Sequence, residues 1–154
     1  MVKYRILMVC LGNICRSPLA HGILQNKLPQ KQYFIDSAGT SGYHNGEKPD
    51  PRSIEVALKY GIDISNQKSR KFNVTDFDYF DKIYVMDKSN LSNVLALARN
   101  SEDKAKVELI LDSINSENQE VPDPYFVGNE GFNHVFKLLN NACEIIKSNL
   151  ENIT

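Results

Sequence analysis

Eight consecutive residues, Cys10-Leu11-Gly12-Asn13-Ile14-Cys15-Arg16-Ser17, bring thiol, guanidinium and hydroxyl groups together between an apolar run and Pro18. A loop that leads from a strand into a helix can curl its backbone N–H groups around an anion at the positive end of the helix dipole. Gly12 and Asn13 are residue types that accept the left-handed backbone values such a turn needs. Arg16 can fork two N–H donors onto two phosphate oxygens, a geometry lysine cannot copy. Cys10, at the loop entrance, is the candidate nucleophile. Helix N-termini and nearby cations lower a cysteine pKa from its usual value of about 8.5, each unit being worth about 1.4 kcal/mol. The Ser17 hydroxyl can donate to the sulfur anion. A thiolate beside an anion cradle points to attack on phosphorus through a cysteinyl-phosphate intermediate.

Cleavage of a phosphate ester also requires a proton for the leaving oxygen and then a base for the attacking water, and one carboxyl group can do both in turn. Asp123, within Pro122-Asp123-Pro124-Tyr125-Phe126, is the candidate, because the flanking prolines restrict its backbone. Leu11 and Ile14 are expected to supply apolar contacts beneath a substrate ring. Aromatic residues on the rim can stack against that ring, for about 0.5–1.5 kcal/mol each beyond burial.

Alternating strands and helices are needed to hold these groups at one edge. Tyr4 to Cys10 is a nearly continuous apolar run, as a strand buried on both faces requires. Tyr33 to Ala38, Lys82 to Met86 and Val107 to Leu111 read as three further strands. Ser17-Pro18 opens a helix, with Pro18 suited to its first position, and Ala20, Ile23, Leu24 and Leu28 form a stripe at helical spacing. Asp50-Pro51 caps a second helix that Gly61 ends. Leu91, Val94, Leu95 and Ala98 mark a third helix, and a long amphipathic one runs from Phe132 to Leu150. This alternation predicts one α/β domain over residues 1–154, a four-stranded parallel sheet with helices on both faces. In such sheets ligands bind beyond the carboxyl ends of the strands. The 10–17 loop lies on that rim, as do two long connections, Gly39 to Pro49 and Asp112 to Gly128, of the kind that is often functional.

With 154 residues, 18 Lys+Arg against 19 Asp+Glu and a net charge of −1, the chain has no global attraction to nucleic acid or to an anionic membrane surface. Its longest apolar run, Ile6 to Leu11, is far short of the roughly 20 residues of a bilayer span. The short apolar start leads straight into patterned sequence, so no export signal is expected. Three cysteines suit a reducing compartment better than a disulfide scaffold. A cytoplasmic protein is expected, monomeric or weakly dimeric.

From Val9 to Pro18 the chain reads V-C-L-G-N-I-C-R-S-P, and Asp36-Ser37-Ala38-Gly39-Thr40, Met86-Asp87-Lys88-Ser89-Asn90 and Asp123-Pro124-Tyr125 follow. Over nearly its whole length it resembles the low-molecular-weight protein-tyrosine phosphatases. The resemblance implies a flavodoxin-like fold, hydrolysis of phosphotyrosine esters and small aryl phosphates, a tyrosine-phosphorylated protein as substrate, and no metal or organic cofactor. It gives Cys10 the role of nucleophile, Arg16 and the backbone of Leu11, Gly12, Asn13, Ile14, Cys15 and Ser17 that of phosphate ligands, and Asp123 that of acid and base. Tyr43, Tyr125 and Phe126 stand where the family builds its crevice walls. Asn13, Ser17 and Ser37 match a polar network that supports the loop. Many members complete that network with a histidine shortly before an arginine, where this chain has Gln67-Lys68-Ser69-Arg70.

Cys15, five residues after Cys10, is close enough in a curled loop for a disulfide that reversibly traps an oxidised nucleophile, a role the resemblance supports; the alternative is a small residue packing the loop. Cys143 belongs to the apolar stripe of the last helix. His21 and His134 are expected to be solvated helix residues, and His44 a rim residue beside Tyr43. Three other functions compete. A thioredoxin-coupled arsenate reductase needs two further redox cysteines, yet none lies between Cys15 and Cys143. Protein-arginine phosphatases share the scaffold but tend to carry threonine where Ile14 stands, and Ile14 favours a phenyl ring. A phosphate-binding module without catalysis would need neither Cys10 nor Asp123.

Overall fold

An unbroken apolar run has no polar face to offer solvent, and Tyr4–Cys10 accordingly forms an internal strand, β1. It pairs in parallel with β2 (Tyr33–Gly39) on one side and β3 (Lys82–Val85) on the other, and β4 (Val107–Leu109) lies outside β3. The sheet order is β2-β1-β3-β4. The computed structural model describes residues 2–114, 119–126 and 128–153, without the side chains of Phe126 and Ile153.

Alternate residues of β1 face opposite layers. Ile6, Met8 and Cys10 join a core with Leu19, Ile23 and Leu24 of α1 (Arg16–Lys27), Val56 and Ala57 of α2 (Pro51–Lys59), and Phe132, Phe136 and Leu139 of α6 (Gly128–Ile153). Leu7 and Val9 face a second core with Phe72, Phe77 of the short α3 (Asp76–Tyr79), Phe80 and Val94 of α4 (Lys88–Leu95). A further short helix, α5 (Ser101–Ala105), precedes β4. The chain moves outward from β1 to β2 and then crosses to β3 on the other side of β1. That reversal opens a crevice at the carboxyl ends of β1 and β3.

The elements differ in detail from the sequence expectation. The last strand stops at Leu109, and residues Ile110–Ile114 continue as a 3₁₀ turn. Helix α1 begins at Arg16, so Pro18 is its third residue, still within the turn whose N–H groups have no helical partner. The helix is not a stripe over its first nine residues: every one from Arg16 to Leu24 is buried. His21 is therefore buried instead of solvated, because the segment after α2 covers the flank left open by the sheet. His134 is exposed, and Cys143 is wholly buried in the core, as expected. Helices α3 and α5 span only four and five residues, too short to leave a readable period.

Candidate active site

The 10–17 loop is shaped from outside, through its carbonyls. The Cys10 carbonyl accepts from Thr40 N at 2.9 Å, that of Leu11 from Ser41 N at 2.9 Å, and that of Ile14 from Asp50 N at 2.8 Å. The Gly12 carbonyl accepts from Ser69 Oγ at 3.0 Å and that of Cys15 from Ser53 Oγ at 3.3 Å. In a planar trans peptide the next residue's N–H points the opposite way. Five outward carbonyls thus turn the N–H groups of Leu11, Gly12, Asn13, Cys15 and Arg16 toward the inside of the loop. The Asn13 N–H gives the direction, since it donates to Cys10 Sγ at 3.3 Å. Asn13 also has the left-handed φ of 56° expected for such a turn.

Gly12 does not share that conformation; its lack of a side chain serves another purpose. A Cβ there would lie 3.0 Å from Cδ2 of His44, which packs over the loop. Gly39, at the end of β2, is constrained more tightly, because a Cβ would sit 2.8 Å from the Leu11 carbonyl oxygen. The cause is the close approach of two backbones, which no local pattern encodes.

Cys10 ends β1 with its sulfur 3.0 Å from Ser17 Oγ. Asn13 Nδ2 donates to the same Ser17 oxygen at 2.7 Å. The Ser17 hydroxyl proton is then left for the sulfur or, at a longer 3.4 Å, for the Ala38 carbonyl. The Asn13 N–H and this hydroxyl are thus both within reach of the sulfur. Asn13 Oδ1 in turn accepts from Arg70 N at 3.1 Å. The Arg70 guanidinium is locked by Asp36 and Asp76 at 3.1–3.3 Å, so residues 69–70 brace the loop through Ser69 and Arg70.

Ser37, expected beside Asn13 and Ser17, instead meets His21 Nδ1 at 3.2 Å. Gln67, which stands where the resemblance implies a histidine, donates to the Pro18 carbonyl at 3.1 Å. Burial lowers the His21 pKa, against the opposing pull of Asp36. A buried His21–Ser37 pair, with the half-buried Gln67 bonded to the same helix, thus links α1 to β2 and to the segment after α2.

Arg16 is 2% exposed and enters the cleft from the first turn of α1. Its Nη1 donates to Asp87 Oδ2 at 2.7 Å and to the Val121 carbonyl at 3.0 Å, while Nη2 lies 3.7 Å from Asp123 Oδ2. Burial works against the charge, but Cys10, Asp87 and Asp123 outweigh it and raise the Arg16 pKa. Asp87 also caps α4 through Asn90 N, so its carboxylate orients the arginine from a fixed element. The side chain of Asp123 is 43% exposed, with Oδ1 accepting from Tyr125 N at 3.1 Å.

Cys10, Leu11, Gly12, Ile14, Cys15, Arg16, Tyr43, His44, Asp123 and Tyr125 line a cleft of about 250 Å³. The structure therefore brings together the thiol, the arginine, the aspartate and two of the three expected aromatic walls. The side chain of Phe126 lies outside the described residues. Tyr43 is 85% exposed and meets His44 edge-on at 4.8 Å, and His44 Nδ1 lies 2.6 Å from Glu47 Oε2. The Cys15 thiol is pushed far up by burial, and further by Asp50, Cys10 and Asp123. All three cysteines are free.

Known proteins are similar to this chain in sequence and fold. Residues 5–153 match the family model of the low molecular weight phosphotyrosine protein phosphatases. The low molecular weight phosphotyrosine protein phosphatase of Schizosaccharomyces pombe is 38% identical over 151 residues, which cover 94% of this chain and 96% of that protein. The crystal structure of a protein tyrosine phosphatase from Entamoeba histolytica superposes with a TM-score of 0.91 at 36% identity, over 97% of this chain and 98% of its own. A drosophila arginine phosphatase superposes with a TM-score of 0.87 at 30% identity, over 94% and 96% of the two chains.

Proposed function

The chain belongs to the low molecular weight phosphotyrosine protein phosphatases, a family of phosphoric monoester hydrolases, and from that premise we propose that it hydrolyses phosphotyrosine through Cys10, Arg16 and Asp123. The observation that carries this reading is a loop with five carbonyls bonded from outside and an Asn13 N–H that donates to the Cys10 sulfur, in one cleft with Arg16 and Asp123.

The phosphate dianion is bound by the loop N–H groups and by Arg16, whose orientation Asp87 maintains. These dipoles and this charge are in place before the reaction and stabilise the charge that develops on the equatorial oxygens. The Cys10 thiolate attacks phosphorus while the bond to the tyrosine oxygen breaks, and Asp123 gives its proton to that oxygen. Asp123, now a carboxylate, takes a proton from water as the water attacks the phosphocysteine. The sulfur departs as a thiolate, stabilised by the Asn13 N–H and the Ser17 hydroxyl, and inorganic phosphate leaves. Leu11, Ile14, Tyr43, Tyr125 and Phe126 are the proposed walls for the ring. A tyrosine-phosphorylated protein is the proposed substrate, residues 1–154 the single catalytic domain, and the cytoplasm the location, for which three free cysteines speak.

A p-nitrophenyl phosphate assay tests the reading. The wild-type protein is expected to turn over, and Cys10→Ser to fall by more than about 10³ in kcat while still binding inorganic phosphate. Turnover by Cys10→Ser near the wild-type rate would refute the cysteinyl-phosphate route.

The likeness to an arginine phosphatase supports a second reading on the same chemistry. Ile14, half-buried in the cleft lining, favours the phenyl ring over a guanidinium group. Turnover of phosphotyrosine should exceed that of phosphoarginine, and the reverse order would reassign the substrate. Cys15, which lines the same cleft as Cys10, is proposed to trap an oxidised nucleophile: its thiol displaces water from the Cys10 sulfenic acid and forms a disulfide.

A further inference from the structure

Arg52 joins the two sides of the cleft. Asp50, the cap of α2, donates its N–H to the Ile14 carbonyl of the 10–17 loop. The Asp50 carboxylate holds the Arg52 guanidinium in a two-pronged pair, Nε to Oδ1 and Nη2 to Oδ2, both at 3.0 Å. Burial raises the Asp50 pKa, but the Arg52 side-chain and backbone hydrogen bonds outweigh it and hold the pKa below the usual value, so the pair is charged at neutral pH. From this fixed position Arg52 Nη2 donates to the Tyr125 carbonyl at 2.9 Å. The same guanidinium lies over the Phe132 ring of α6 at 4.5 Å and over the Tyr125 ring at 5.6 Å. On the other side of Tyr125, its N–H donates to Asp123 Oδ1. The chain of contacts therefore runs from the loop through Asp50, Arg52 and the Tyr125 backbone to the Asp123 carboxyl.

We propose that Arg52 is a positioning residue for proton transfer by Asp123, acting through the Tyr125 backbone. The inference rests on the acid and base role proposed for Asp123. A carboxyl group must come within hydrogen-bond reach of the leaving oxygen, and small misplacements are costly. Asp123 has an exposed side chain just before the 3₁₀ turn Pro124–Phe126, so the tether at Tyr125 sets where its carboxyl sits.

The test compares kcat/KM for p-nitrophenyl phosphate, whose leaving group needs little protonation, with that for phenyl phosphate, whose leaving group needs much. Arg52→Ala should lose roughly tenfold more on phenyl phosphate than on p-nitrophenyl phosphate, a fraction of the about 10²–10⁴ available from general acid catalysis. Both rates come from one preparation, so partial unfolding lowers them equally and cannot create the bias. Arg52→Lys, which keeps a donor for the Tyr125 carbonyl, should recover part of it. Arg52→Ala added to Asp123→Asn should give no further bias, since the two act in one step. Equal losses on the two esters, or losses that multiply in the double variant, would overturn the proposal. If Asp123→Asn by itself shows no leaving-group bias, the failure lies in the acid and base reading and not in the tether.

Discussion

Five carbonyls between Cys10 and Cys15 are each bonded by a different neighbour: Thr40 and Ser41 just after β2, Asp50 and Ser53 at the start of α2, and Ser69. Across the cleft, the segment around Asp123 is held at separated points: Val121 N to the Met86 carbonyl, Arg16 to the Val121 carbonyl and Arg52 to that of Tyr125. Cys10 is 2% exposed, whereas the Asp123 side chain is 43% exposed. The contrast follows from the two tasks. Dipoles that stabilise developing charge are effective only if they need not reorganise, so the loop is braced on every side. A group that donates a proton, accepts one and then lets phosphate leave must meet solvent, so it is tied at a few backbone points.

Variants on either side of the cleft should separate activity from stability. The largest effect is expected from Asp123→Asn, which keeps the acceptor for Tyr125 N but cannot donate a proton. Its kcat on phenyl phosphate should fall by about 10²–10⁴, with the thermal midpoint of unfolding unchanged. A parallel drop in that midpoint would mean that Asp123 is structural. Gly39→Ala should act on both quantities. Its Cβ would meet the Leu11 carbonyl oxygen at 2.8 Å, and either backbone must shift, at a cost of about 1–3 kcal/mol in a denaturant titration and a lower kcat/KM. Full activity and stability in that variant would show that the loop tolerates displacement and would remove the contrast.

His21 offers a smaller and pH-specific effect. Burial lowers its pKa, so the unfolded chain takes up a proton near pH 6.5 while the folded protein does not. Stability from His21 is thus complete above about pH 6.5 and declines as pH falls below it, by at most about 1.4 kcal/mol per pH unit. Unfolding titrations at pH 7.5 and 5.5 should show a smaller difference for His21→Gln than for the wild-type protein. An equal difference would mean that folding leaves the His21 pKa unchanged.

The strands, the 10–17 loop and Asp123 were legible because each depends on neighbours in sequence. An apolar run needs burial, Asn13 tolerates a left-handed turn, and prolines restrict the aspartate between them. The bracing was not legible. Arg70 finds Asp36 and Asn13 across 34 and 57 residues, and Arg52 finds Tyr125 across 73. Nothing in the local sequence of either arginine distinguishes it from a solvated surface residue. The same limit hid the burial of His21, which depends on what packs over α1, and the true reasons for Gly12 and Gly39, which are the His44 ring and the Leu11 carbonyl. The amino-acid order by itself determined which groups are able to do the chemistry, since reactivity and backbone preference belong to residue types. Only the folded chain decided how far those groups are from one another, which partners fix them and which of them meet water, because these follow from contacts between segments that the sequence holds far apart.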